Sequence, residues 1–302
     1  MSQFKLLSIA LLAACSPVFA QNVVYDLPKN KLTAEIAHLT IVGDLARDRK
    51  QPEIAYQAYM LLANKTRDPR YAELAYKVAV ADNKPQSAID AAVVLKQLAP
   101  NAVLGQDLVN QVKISNAYAL IDKQQYRPAY NAAREMLKQD PNNVAALSLL
   151  TSVADSLGYD DESLQAAETW LKLEPENPEA LNSLGYFLAN KNMRLTEAEQ
   201  LINKANTIKP NTPYIMDSMG WVAYRQGRLS DALPLLKQAV IMEPHEDVLT
   251  HLGEVLWQSG EHEVAIKTFQ TAFQTNAYSQ NLRDTLERLG IALSLVNIKK
   301  GK

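Results

Sequence analysis

Small, apolar and helix-breaking residues recur along this chain with a nearly fixed step. Prolines fall at Pro141, Pro175, Pro210 and Pro244, separated by 34, 35 and 34 residues. Gly158, Gly227 and Gly260 keep phase with them. Two alanine series, Ala198/Ala232/Ala265 and Ala205/Ala239/Ala272, take the same step. Between these marks the apolar positions have helical spacing. Met216, Met219, Gly220 and Ala223 belong to one helix, and Ala232, Leu236 and Ala239 to the next. Each period therefore predicts a pair of helices, called A and B below. A glycine after helix A tolerates the left-handed conformation that ends a helix, and Asn192 and Asn83 fill the same slot as the second-best residue. A proline near the end of the period breaks helix B. Small residues facing each other let the two helices approach closely.

The pattern is strongest over 178–277. Leu181, Leu184, Gly185, Leu188, Ala198, Ile202, Ala205 and Pro210 mark one unit, with one extra residue in its turn. Leu249, Leu252, Gly253, Leu256, Gly260, Ala265, Phe269 and Ala272 mark the unit after 213–245. Residues 144–177 fit through Gly158 and Pro175. Residues 31–143 carry the same design in weaker form, through Gly43, Ala55 and Tyr59, then Ala88, Ala92 and Pro100, then Ala129, Ala133 and Pro141. Pro100 and Pro141 are 41 residues apart, so about seven residues are inserted between them. The total is seven helix pairs. After 278 the pattern changes to one apolar stripe, Leu282, Leu286, Leu289, Leu293 and Val296, which predicts a single helix capping the last pair before a basic tail at 299–302.

A period of 34 with these residue types resembles the tetratricopeptide repeat. The resemblance implies an all-α solenoid, a right-handed superhelix of about seven helix pairs plus a C-terminal capping helix. It also implies that successive A helices line a concave groove, with repeat positions 2, 5, 9, 12 and 13 facing it. Carried onto this sequence, those positions are Asn182, Tyr186 and Asn190; then Tyr214, Asp217, Trp221, Tyr224 and Arg225; then Asp247, Thr250, Glu254, Trp257 and Gln258. The expected result is an aromatic ladder of Tyr186, Trp221, Tyr224 and Trp257. Aromatics and arginine often anchor protein interfaces. The competing reading is that Trp221 and Trp257 pack between neighbouring repeats. Tetratricopeptide domains that grip a C-terminal carboxylate use Lys and Arg at several groove positions, and here only Arg225 fits.

Three runs are more specific: 181–186 (LNSLGY), 217–225 (DSMGWVAYR) and 251–257 (HLGEVLW). With Ala34-Glu35-Ile36-Ala37 and Thr66-Arg67-Asp68-Pro69, they are similar to proteobacterial tetratricopeptide lipoproteins related to the adaptor of a periplasmic C-terminal processing protease. This chain is shorter than familiar members of that group.

Composition narrows the function further. The net charge is −2 and there is no basic stripe of the kind that neutralises phosphates, so no nucleic-acid partner is expected. Cys15 is the only cysteine, which excludes a disulfide framework, a thiolate metal site and a cysteine nucleophile. Residues 1–20 read as a signal peptide, with Lys5 ahead of an apolar run from Leu6 to Ala14. Two cleavage sites compete. Leu12-Ala13-Ala14-Cys15 has the form of a lipobox, with Cys15 lipidated, and Val18-Phe19-Ala20 fits an ordinary signal peptidase. The first places the protein in the periplasm, anchored to the outer membrane as a lipoprotein; the second leaves it soluble in the periplasm. The only membrane contact expected is through that lipid.

No HExxH, GxSxG or phosphate loop is present. His245, His251 and Glu254 do not share one helix face, so no metal, other cofactor or catalytic residue is expected. The expected function is a non-enzymatic scaffold or adaptor of the bacterial envelope, holding a protein or peptide. The candidates for its partner are a periplasmic protease and a cell-wall enzyme. The alternative is a fixed structural component of a pilus, secretion or cell-wall assembly.

Overall fold

A computed structural model describes Pro28 and residues 32–100 and 104–297, with the side chains of 104–107 left out. The predicted leader, both cleavage sites, Cys15 and the basic tail lie outside the described residues. Every regular element among the described residues is helical. They fall into two compact units, one ending at Gln139 and the other starting at Asp140.

The first unit holds α1 (Ala34–Asp48), α2 (Pro52–Thr66), α3 (Pro69–Ala81), α4 (Pro85–Leu98), α5 (Leu104–Asp122) and α6 (Tyr126–Gln139). Consecutive helices pack as antiparallel neighbours around Tyr59, Leu62, Tyr76, Leu95 and Leu108, with alanines at the close contacts. The insertion expected between Pro100 and Pro141 is largely taken up within a helix. Helix α5 has 19 residues where α3 and α7 have 13.

The second unit holds α7 (Val144–Ser156), α8 (Asp160–Leu173), α9 (Pro178–Asn190), α10 (Leu195–Ile208), α11 (Pro213–Arg225), α12 (Leu229–Met242), α13 (Glu246–Gln258), α14 (His262–Thr275) and α15 (Gln280–Arg288). Odd-numbered helices are the A helices. Helices α9, α11 and α13 each pack on their own B helix and on the next A helix. The apolar core lies between A and B layers, with Leu184, Leu188 and Ile202 in one stretch and Leu252, Leu256 and Phe269 in the next.

Glycine at the middle of an A helix sets this spacing. A Cβ on Gly185, Gly220 or Gly253 would lie 2.6 Å from Ile202, 2.7 Å from Leu236 or 2.5 Å from Phe269 on the paired B helix. Gly43 stands in the same relation to Tyr59, at 2.8 Å. The weaker first repeat is thus built by the same contact as the strong ones. Helix starts differ between the layers, with α11 an exception among the A helices, since Thr212 makes no side-chain cap bond. Side chains of Thr33, Asp68, Asn143, Asn177 and Ser279 cap helices of the A series, each accepting a hydrogen bond from a backbone N–H of the first turn. B helices α2, α4, α8, α10, α12 and α14 have no such side-chain cap.

The capping helix is shorter than expected. It ends at Arg288, and Gly290 turns the chain with φ +70°. Leu293 and Leu295 then bound a short 3-10 turn. The apolar stripe still reaches the core, because Leu282, Leu286, Leu289, Leu293 and Val296 all pack on the last pair. The i+3/i+4 spacing therefore marked positions that pack on the last pair, Leu289 and Leu293 only partly buried, but overran the helix. A glycine inside the pattern redirected the chain. None of the described helices is long and apolar enough to cross a membrane.

Candidate protein-binding face

The A helices of the second unit carry two kinds of side chain. One face supplies Leu, Gly and Ala to the A/B core. The other collects aromatic, amide and charged groups, and it holds the groove positions predicted from the repeat. Its centre is His251, on α13. The imidazole stacks on Trp221, with centroids 4.1 Å apart, and Tyr224 lies 5.1 Å from the same indole. His251 Nδ1 is 2.9 Å from an Asp217 carboxylate oxygen, and Nε2 is 3.3 Å from the Tyr186 hydroxyl. Helices α9, α11 and α13 thus each place one member of a Tyr–His–Asp chain. Burial disfavours the charged imidazole, but Asp217, reinforced by Asp247 and Glu254, outweighs it and raises the His251 pKa above its ordinary value. Burial, then Asp247 and Asp217, pushes the Tyr186 hydroxyl well up.

A second cluster ties α11, α13 and α15 together. The Tyr224 hydroxyl donates to Glu254 at 2.9 Å. Arg288 donates to both Glu254 oxygens, at 2.6 and 2.7 Å. The Glu254 carboxylate is buried, so this two-pronged pairing is what compensates its desolvation. The Asn281 amide donates to Asp247 at 2.9 Å. At the other end of the face the Tyr214 hydroxyl donates to Glu179 at 3.2 Å, with Lys209 on the same carboxylate. Burial and Glu179 push the Tyr214 pKa up to about 12.

The predicted groove residues separate by accessibility. Asn182, Asp217, Trp221, Thr250 and Glu254 are buried, as is Asp247. Tyr186, Asn190, Tyr214, Tyr224, Arg225 and Trp257 are half-buried, and Gln258 is exposed. The Thr250 hydroxyl is satisfied by its own helix, through the Glu246 carbonyl at 2.6 Å. Arg225 donates to the Asn190 carbonyl at 3.0 Å and lies over the Trp221 ring. The expected ladder is rearranged. Tyr186, Trp221 and Tyr224 come together around His251, whereas Trp257 sits against His262 of its own pair, at 4.3 Å. Trp221 packs between successive A helices.

His251, Arg288 and Asn281 were missed by the position rule. Each has a sequence signal in hindsight: Asp217/His251, Glu254/Arg288 and Asp247/Asn281 are all complementary pairs exactly one 34-residue period apart. His245, His251 and Glu254 do not converge on one point, since His251 turns to Asp217 and Glu254 to Arg288. The ligand atoms drawn together are those of His245, Glu246 and Asp247, within 4.8 Å of one another. The Glu246 and Asp247 carboxylates there already meet Asn276 and Asn281, and no metal is assigned.

Comparison with known proteins places this architecture. A tetratricopeptide-repeat family model matches residues 161–213 and 218–279. The TPR repeat-containing protein PA4667 of Pseudomonas aeruginosa is 40% identical over 151 residues, 49% of this chain and 25% of that protein. The human tetratricopeptide repeat protein 7A is 38% identical over 94 residues, 30% of this chain and 11% of that one. The chain therefore spans about a quarter or less of these curated relatives. Among solved structures, a tetratricopeptide repeat protein from Parabacteroides merdae superposes with a TM-score of 0.55 at 13% identity, covering 85% of this chain and all of that one. TTC0263 of Thermus thermophilus gives 0.51 at 21% identity, covering 59% and 97%. The repeat is matched in sequence over residues 161–213 and 218–279, and the described chain has the fold of tetratricopeptide-repeat structures, all-helical with its helices stacked in consecutive pairs.

Proposed function

We propose that this protein is a non-enzymatic scaffold or adaptor of the bacterial envelope, holding a protein or peptide segment on the A-helix face of its second unit. The observation that carries this is the division of labour on the A helices. Core formation uses their Leu, Gly and Ala positions, while Tyr186, Tyr214, Tyr224, Arg225 and Trp257 are left half-buried on the opposite face. Half-exposed aromatics and arginine in one place are what interfaces use as anchors. Tetratricopeptide domains in general bind protein partners, which agrees with this reading. The envelope setting rests on the leader sequence and the lipobox at Cys15. The similarity of 181–186, 217–225 and 251–257 to protease-adaptor lipoproteins makes a periplasmic C-terminal processing protease the first partner to test.

A photo-crosslinking amino acid at Asn190 or Trp257 tests the reading in the cell. It is expected to trap an envelope protein, while the same probe at Ile241, 82% exposed on a B helix, traps none. Equal trapping from both layers would count against the A-helix face. Intact mass of the mature protein tests the anchor: a lipid-modified Cys15 is expected, and a chain starting at Gln21 would refute it.

A further inference from the structure

Within each unit a helix pair meets the one before it along a seam, and one position on the A helix marks how the seam is filled. It lies five residues before the left-handed residue that follows the helix. In chain order the series is Leu45, Val78, Ala119, Val153, Phe187, Val222 and Val255. Leu45 belongs to the first described pair. Val78, Val153, Phe187, Val222 and Val255 are all buried. Ala119, on α5, is the smallest of the series and is exposed. The close contact in the pair before it is also reversed. Tyr76 holds the slot of Gly185, Gly220 and Gly253, and Ala92 holds that of Ile202, Leu236 and Phe269.

A cavity of about 80 Å³ opens at this seam, between α3, α4 and α5 of the first unit. Val80, Ala88, Val112 and Ala119 supply its apolar lining. The space is roughly half of what takes a benzene ring, so one short aliphatic side chain fits and an aromatic does not. Valine is also what the chain itself sets at this position in four other pairs. Close packing makes an under-filled seam a place where such a group gains contacts.

Charge at the cavity is unbalanced. Lys84, exposed at the turn between α3 and α4, lines it and makes no ion pair among the described residues. Among the described side chains no carboxylate lines it. Asp82 and Asp90, the nearest in sequence to Lys84, stand outside the lining. An acidic group is therefore attracted here and a basic one repelled. Asn83 and Asn116 are exposed beside the same cavity, and each amide offers a donor and an acceptor, the complement of a peptide group.

We propose that this seam is a second binding site, which takes an extended acidic segment of a partner protein. A valine-sized side chain of the segment fills the cavity, a neighbouring Asp or Glu pairs with Lys84, and its backbone meets Asn83 and Asn116. The site lies within the first unit and is independent of the A-helix face proposed above, so either can fail without the other.

The test uses residues 21–302, labelled with nitrogen-15, and capped Gly/Ser peptides of equal length that differ only in a central pair: Val-Glu, Ala-Glu or Val-Gln. Amide NMR titration is expected to move the Asn116 and Ala119 signals. The Val-Glu peptide should bind about fivefold tighter than Ala-Glu and about threefold tighter than Val-Gln, the second ratio closing as salt rises. Ala119→Leu fills the cavity from inside and should abolish the preference for Val over Ala. Lys84→Gln should abolish the preference for Glu over Gln and leave the other intact. Because Lys84 is exposed, this second variant decides the matter even if Ala119→Leu fails to fold. Equal binding of the three peptides to the wild type, no binding at all, or a preference that survives its own variant would each overturn the proposal.

Discussion

His251 is held between Asp217 of α11, Tyr186 of α9 and the carboxylates of its own helix, and this gives the protein a pH dependence of known sign. Its folded pKa is raised above the ordinary histidine value of about 6.5. The stabilisation is therefore complete below that ordinary value and is lost as pH rises through the folded pKa. Thermal melts of the wild type should fall across that interval, and His251→Gln should flatten the fall. Asp217→Asn leaves the imidazole without its counter-ion and should cost about 3 kcal/mol, read by urea unfolding. At Gly185 the issue is space. A Cβ there would lie 2.6 Å from Ile202 Cγ1 and 3.0 Å from the Ala198 carbonyl oxygen. Overpacking of about 1–3 kcal/mol opposes a gain of about 1 kcal/mol in helix propensity, so Gly185→Ala should lower the urea midpoint. The glycine was legible as a close-contact position from its repeat slot. That Trp221 stacks on an imidazole rather than facing solvent was not legible, because one helix's sequence says nothing of the side chain delivered by the next.

At the scale of the element, every A helix and the capping helix is followed closely by a residue in the left-handed region. The series is Lys50, Asn83, Gln124, Gly158, Asn192, Gly227, Gly260 and Gly290. Only the glycines and asparagines announce the turn in sequence. Lys50 and Gln124 adopt it because the next helix must fold back onto the first, and the packed pair outweighs a strain of about 1 kcal/mol. Lys50→Gly and Gln124→Gly should relieve that strain and raise the melting temperature by a few degrees. Gly227→Ala should lose about 1 kcal/mol through its backbone alone, since nothing lies within 4 Å of the added methyl. Circular dichroism melts check both directions. Helix α10 shows how a turn absorbs an extra residue: Asn192 and Arg194 both take positive φ, and the Gly185–Ile202 contact survives with a spacing of 17 instead of the 16 of Gly220–Leu236.

For the second unit as a whole, each pair depends mainly on its neighbours, so its last pair depends on α15. Arg288 ties that helix to the buried Glu254 carboxylate, which also receives Tyr224 from α11. Arg288→Ala should destabilise by about 1–3 kcal/mol, less than a fully buried pair because the Arg288 side chain is 55% exposed. Hydrogen exchange should rise first in α15 and α13 and little in α7. Uniform acceleration would contradict nearest-neighbour coupling. By itself the sequence determined the helix pairs, their period, the close glycine contacts and which positions form the aromatic and polar face of the A helices. Those follow from local geometry, since a 34-residue step and a 3.6-residue turn fix which residues recur on one side. Only the tertiary structure decided which groove residues are buried, that Trp257 leaves the ladder for His262, and that Tyr186, Asp217, Trp221 and His251 share one site. Those outcomes depend on side chains from three helices meeting across a shared face, where pairing and desolvation of the whole cluster outweigh the preference of any one position.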